Sequence, residues 1–253
     1  MIFNTHSHLN DKENIEELLE ECKQYKVSKI AAIGYDYNSS KKALEVANKF
    51  SNIYAVCGLQ PEEVVKHEGD ISCFEKLIKE DKCVAIGEIG LDYYYGKENK
   101  DLQLKYFEDF LKMACNYKKP IVIHCREAHE DMFNLLNKYH KQLDGIIMHC
   151  YTGSVEMMYR YLSIGAYISF SGVVTFKNAK TIKEVAIACP IDRLLVETDD
   201  PYLTPVPFRG KENKPAYVYY VLEEIAKLKQ MDFNESSEVV YNNSTKVFHI
   251  WKK

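Results

Sequence analysis

Long apolar runs are missing from this 253-residue chain: none approaches the roughly 20 residues that a bilayer-spanning helix needs. That argues against a membrane protein. The first expected strand begins at Met1-Ile2, which leaves no room for a secretory leader. Paired cysteines are also missing. Cys22, Cys57, Cys73, Cys83, Cys115, Cys125, Cys150 and Cys189 are spread along the chain without a CxxC pair. Most lie in apolar runs or on helix faces, so they read as buried free thiols rather than a disulfide framework. Together these features fit a cytoplasmic protein. Basic charge is scarce too. The net charge is −4 and there are only four arginines, so the chain lacks the broad basic footprint that holds duplex DNA. Finally, no linker or low-complexity stretch divides the chain, so residues 1–253 are expected to form one domain.

What the chain does have is alternation. Short apolar, β-rich runs at 1–6, 28–34, 53–58, 83–88, 120–124, 145–149, 166–171 and 193–198 read as buried parallel strands. Helical stripes lie between them: Ile15, Leu18, Leu19, Cys22 and Tyr25; Leu104, Phe107, Leu111 and Ala114; Met132, Leu135, Leu136 and Tyr139. Eight strand–helix units in a chain of this length predict a parallel α/β fold, a (β/α)8 TIM barrel. A doubly wound open sheet is the rival, but it would not gather residues from the first and last strands. Two further amphipathic stretches, near 215–230 and 235–248, are expected to pack outside. The segment 200–216, with its prolines, reads as an ordered loop over the mouth.

Potential metal ligands sit where these apolar runs stop. Ile2-Phe3 leads to His6-Ser7-His8, and Val84 to Gly87 leads to Glu88. Ile121 to Ile123 ends at His124, Ile146 to Met148 ends at His149, and Leu194 to Val196 runs through Glu197-Thr198 to Asp199. In a barrel, the carboxyl ends of all strands face one mouth. Four imidazoles and two carboxylates there suffice for two divalent cations. His6 and His8, two apart on an extended segment, point the same way. Glu88 is suited to bridge two metals, one oxygen to each. Asp199 can bind a metal and also take the proton of an activated water. Arg126 and Arg209 fall in mouth segments, and the arginine fork matches phosphate oxygens.

The stretches Thr5 to Leu9, Gly87 to Tyr94, Ile123 to Ala128, His149 to Ser154, Ile168 to Ala179, Leu194 to Leu203 and Arg209 to Tyr217 resemble the TatD family of metal-dependent hydrolases. The resemblance runs from the first strand almost to the end. It implies a barrel of the amidohydrolase superfamily type with deoxyribonuclease activity, on single strands or ends of DNA. It also implies a ligand partition: His6 and His8 on the first metal with Asp199, His124 and His149 on the second, and Glu88 between. Many superfamily members bridge with a modified lysine, and the strand ending in Glu88 offers none.

Under this resemblance Gln60, Arg126, Arg209 and Asn213 are candidates to hold the nucleotide chain. Tyr93, Tyr94 and Tyr95 would stack bases or simply pack, and Asp92 would orient a ligand histidine. Three positions depart from the family pattern. Asn4 stands where Asp is usual, Gln60 where His is usual, and Asp200 where a small residue is usual. The first bears on support for the histidines, the second on turnover or substrate range, and the third on metal or phosphate affinity. The ions are left open among Zn, Mn, Ni and Mg. The same centre would serve a D-aminoacyl-tRNA esterase. A non-catalytic metal-binding protein is the remaining reading. No obligate protein partner is evident.

Overall fold

The computed structural model describes residues 1–250. The apolar runs form strands β1 (Ile2–Ser7), β2 (Val27–Ile33), β3 (Ile53–Cys57), β4 (Cys83–Asp92), β5 (Ile121–Arg126), β6 (Ile146–Met148), β7 (Tyr167–Phe170) and β8 (Leu194–Val196). All pair in parallel, in sequence order, to give an eight-stranded TIM barrel. Helices α1 (Ile15–Gln24), α2 (Tyr37–Lys49), α3 (Glu75–Ile78), α4 (Lys100–Tyr117) and α5 (His129–Tyr139) alternate with the strands. They are followed by α6 (Val155–Ser163), α7 (Lys180–Ala188), α8 (Val218–Lys229) and α9 (Phe233–Val247). Among the described residues no helix is long and apolar enough to cross a membrane.

Below the mouth the strands are mostly apolar because both faces are buried. One set of side chains fills the barrel: Phe3, Ala31, Ile33, Val56, Ala85, Val122, Ile147, Tyr167 and Leu195. Their neighbours in the chain, such as Ile2, Ile30, Ala55, Ile86, Ile121 and Met148, face the helices instead. The last amphipathic stretch does more than pack outside. Val247 and Phe248, at the end of α9, join the inner cluster, with the Phe248 ring 5.5 Å from that of Phe3. They close the floor of the barrel opposite the mouth.

Three strands, β1, β4 and β5, run past their expected ends, β4 by the most. β4 continues beyond Glu88 to Asp92, through a register shift between Ile86 and Ile89. The ladder then resumes with Ile89 opposite Ile123 and places Gly90 opposite His124 and Asp92 opposite Arg126. Gly90 is required there, because its φ is +148° and a Cβ would stand 1.9 Å from the His124 carbonyl oxygen. Glu88 therefore lies within a strand, at its irregularity, and not at its end. Between β3 and β4 the expected helix shrinks to the single turn of α3.

The barrel is nearly closed, and no strand ladder joins β8 to β1 among the described residues. Individual bonds hold this seam. The Thr5 hydroxyl donates to the Val196 carbonyl (3.0 Å), and the Asp199 amide donates to the His6 carbonyl (3.1 Å). Asn4 works in both directions: its Nδ2 donates to Thr198 Oγ1 (2.7 Å) and its Oδ1 accepts from the Thr198 amide (3.1 Å). An aspartate at position 4 would lack the donor. The eight cysteines are free; Cys22, Cys57, Cys83 and Cys189 are buried and Cys73 is exposed.

Candidate metal centre

The mouth brings all six expected ligands together. His6 and His8 come from the end of β1, Glu88 from the irregularity in β4, and His124 from β5. His149 follows β6 by one residue and Asp199 follows β8 by three. Asp199 adopts a left-handed backbone conformation, φ +57°. Its Oδ1 lies 3.6 Å from His6 Nε2 and 3.5 Å from His8 Nε2. Glu88 divides its two oxygens. Oε2 faces His6 Nε2 at 3.6 Å, while Oε1 faces His124 Nδ1 at 3.0 Å and His149 Nε2 at 3.2 Å. The donor atoms thus gather into overlapping triads: His6–His8–Glu88, Glu88–His124–His149 and His6–His149–Asp199.

Two more carboxylates orient the imidazoles. Asp92 Oδ2 accepts from His124 Nε2 at 2.8 Å, which turns Nδ1 toward Glu88. Asp92 Oδ1 accepts the amides of Tyr94 (2.9 Å) and Tyr95 (2.8 Å). Glu197 Oε1 accepts from His149 Nδ1 (3.0 Å) and from the Cys150 amide (2.7 Å), and its Oε2 accepts from Ser169 Oγ (2.5 Å). A carboxylate behind a ligating histidine fixes both its tautomer and its ring direction. Sequence reasoning passed over Glu197. The available signal was a carboxylate directly following the apolar Leu194–Val196, which is costly to bury unless it accepts several donors.

The electrostatics call for positive charge. Burial alone would raise the pKa of Glu88, yet His149, His124 and His6 hold it well below the usual carboxylate range. Burial likewise opposes ionisation of Asp199, and His8, His149 and His6 outweigh it. Burial disfavours the charged form of His8 and His124 as well, but Asp199 beside His8, and Asp92 and Glu88 beside His124, push each up to about 9. His6 is shifted the other way, by burial and then by His149, whose ring stacks on it at 3.9 Å. No lysine or arginine pairs with Glu88, Asp92, Glu197 or Asp199 among the described residues.

A divalent cation fits this donor set. Both ring nitrogens of His6 and Nδ1 of His8 are buried without a hydrogen-bond partner. Such orphaned groups in a folded core ask for an ion or water. The 3.5–3.6 Å gaps around His6 Nε2 and Asp199 are too long for a hydrogen bond. They match the roughly 3.4 Å that separates two ligands of a tetrahedral ion bound at about 2.1 Å.

The expected substrate residues are placed unequally. Arg126 lies beside the centre, its guanidinium 3.9 Å from the Tyr94 ring and 4.7 Å from the Tyr95 ring. It forms no ion pair among the described residues. Gln60 lines a cleft next to His8. Arg209 stacks on Phe176 at 3.9 Å, farther along the loop. Asn213 is buried, and its Nδ2 donates to the carbonyls of Thr198 (2.9 Å) and Tyr202 (2.6 Å). Its amide ties the loop down and is not offered to a ligand. Tyr93 turns inward, its hydroxyl donating to Asp131 at 2.8 Å, whereas Tyr94 and Tyr95 are exposed. Asp200 is fully buried and bonded to the Thr198 hydroxyl, and it belongs to none of the ligand triads, one of which Asp199 joins.

Comparison with known proteins agrees with this arrangement. A family model described as TatD related DNase matches residues 3–249. The chain is 42% identical over 254 residues to YabD of Bacillus subtilis, an uncharacterized metal-dependent hydrolase, covering 99% of this chain and 100% of that one. It is 39% identical over 206 residues to YcfH of Escherichia coli, also an uncharacterized metal-dependent hydrolase, covering 81% and 77% of the two chains. Among solved structures, the TatD homologue YjjV of Escherichia coli superposes with a TM-score of 0.92 at 26% identity, covering 98% of each chain.

Proposed function

Because this chain belongs to the TatD family of metal-dependent hydrolases, we propose that it cleaves phosphodiester bonds of DNA, on single strands or at strand ends. The observation that carries the proposal is the division of Glu88, with one oxygen toward His6 and the other toward His124 and His149. On this reading His6, His8, Asp199 and Glu88 hold one divalent cation, and Glu88, His124 and His149 hold a second. Such a pair supplies Lewis acidity, lowering the pKa of water and offsetting charge on the phosphoryl group.

The remaining work falls to the side chains. Asp199 is the carboxylate placed to take a proton from the attacking water: its side chain is 17% exposed to the mouth, against 4% for Glu88. Arg126 has its donors uncommitted and sits beside His124, where it can meet the phosphoryl oxygens as charge develops. Asp92 and Glu197 keep His124 and His149 in their ligating tautomers. Positive charge would be confined to the mouth in a chain of net charge −4, which favours a single scissile phosphate over groove-wide contact with a duplex.

The test is hydrolysis of DNA with defined ends, titrated separately with Zn, Mn, Ni and Mg. Chelator-sensitive cleavage that favours single strands or ends is the expected result. If the protein binds these ions yet leaves DNA intact while hydrolysing an ester such as D-aminoacyl-tRNA, the phosphodiesterase reading is wrong.

A further inference from the structure

A cleft of about 400 Å³ opens beside the metal centre, lined by His8, Asp11, Lys12, Tyr35, Gln60 and Tyr202 among others. Its walls are aromatic. Tyr202 is 65% exposed, and the Tyr35 ring meets His8 edge-on at 5.6 Å. Its charge is not that of a phosphate site. Lys12 is paired with Glu212, and Glu63, also in the wall, is paired with Lys66 at 2.8 Å. With Asp11 added, the cleft carries no uncompensated cation, so a terminal phosphate would be repelled. An uncharged planar group between tyrosines would not. Gln60 is anchored through its backbone amide, which donates to the Tyr35 carbonyl at 2.9 Å. Its carboxamide makes no hydrogen bond among the described residues and offers a donor and an acceptor together, the pairing a base edge needs.

The opposite rim has a second aromatic surface. β4 and β5 lie across the ring from the β8–β1 seam, given the strand order. There Tyr94 (55% exposed) and Tyr95 (60% exposed) flank the Arg126 guanidinium. Asp92 binds both tyrosine amides with one oxygen and His124 with the other, so this platform is fixed relative to the ligands.

Resting on the phosphodiesterase reading, we infer that the cleft beside His8 is a nucleobase subsite, stacked by Tyr202 and read by Gln60. The Tyr94–Arg126–Tyr95 platform receives the nucleotide on the other side of the scissile phosphate. A strand bound this way lies across the mouth with a base on each rim and one phosphate over the metals. Bases stacked within a duplex cannot splay apart in this manner, so the substrate is an unpaired strand of at least two nucleotides.

Binding can be measured apart from catalysis. The probe is a dinucleotide carrying 2-aminopurine, titrated by fluorescence into metal-free wild type, Tyr202→Ala and Gln60→Ala. Stacking on Tyr202 should make the first variant bind about tenfold more weakly or worse. Gln60→Ala should flatten the ranking of the four bases at one position of the dinucleotide. With metal added, the Tyr202→Ala defect should appear mainly in KM for a short single strand. Wild-type affinity in both variants would overturn the subsite. Tight, Tyr202-dependent binding without cleavage under any metal would uphold the subsite and instead remove the phosphodiesterase reading.

Discussion

Replacing Glu197 by glutamine should separate two roles that a buried carboxylate usually combines. Glu197 accepts three hydrogen bonds, from His149 Nδ1, the Cys150 amide and Ser169 Oγ. Glutamine can keep its oxygen toward His149 and Cys150 and turn its amino group toward Ser169, whose hydroxyl can accept as well as donate. The hydrogen-bond count survives, so folding stability should move by no more than about 1 kcal/mol. What is lost is the negative charge behind His149. Loss of such support typically weakens metal binding by 10- to 100-fold, about 1.4–2.7 kcal/mol. Glu197→Ala is a different perturbation. It orphans three donors at about 1–3 kcal/mol each, a sum that rivals a typical total stability of about 5–15 kcal/mol. Calorimetric metal titration and thermal unfolding of both variants decide the matter. Unchanged metal affinity in Glu197→Gln, or equal loss of Tm in the two variants, would refute the argument.

Further outcomes follow from the same geometry. Asp199→Asn should lower the cleavage rate by about 10²–10⁴ or more, through loss of a proton acceptor and of ligand charge, while buried Asp200→Asn should change it by less than roughly tenfold; the reverse order in a single-strand assay would show the proton acceptor misassigned. Glu88→Ala should weaken both metal sites together, whereas Gln60→His should leave metal affinity alone and alter turnover; equal losses in calorimetric titration would contradict the bridging role. In the metal-free protein His8 and His124 titrate near 9, above the 6.5 of an unfolded chain. Their stabilising contribution is therefore complete below about pH 6.5 and fades as pH rises through 9. Metal must displace those protons, so binding at pH 7.5 should release on the order of one proton per raised imidazole, and affinity should climb toward pH 9. Calorimetry in buffers of different ionisation enthalpy reads this directly, and a pH-independent affinity would count against it.

The barrel and the gathering of the candidate ligands were legible because each of these side chains interrupts an apolar run, and parallel topology sends every such interruption to the same mouth. His6, His8, Glu88, His124, His149 and Asp199 needed no knowledge of tertiary contacts. Glu197 did: its place directly after Leu194–Val196 marks it as a carboxylate in need of donors, but those donors come from after β6 and from β7. The extension of β4 to Asp92 was hidden for a similar reason: it depends on Gly90 passing within reach of the His124 carbonyl. Asn213 looked available as a loop polar residue, and only the folded loop shows its amide committed to Thr198 and Tyr202. An apolar helix face reads the same whether it covers a barrel or stops its floor, which is why only the fold shows Val247 and Phe248 at the inner cluster.

The seam between β8 and β1 ties the candidate metal centre to the order in which the barrel can close. Joining these strands closes a loop of about 190 residues, against about 30 for β4 and β5, a difference of roughly 1.6 kcal/mol in chain entropy. Among the described residues the seam also lacks the strand ladder that joins every other neighbouring pair. His6 and His8 stand on one side of it and Asp199 on the other. An ion shared by these three would act as a clasp between the two ends of the chain. Loading the centre and completing the barrel then become one event, and a chain without metal is the one most apt to open along the line where its reaction would take place.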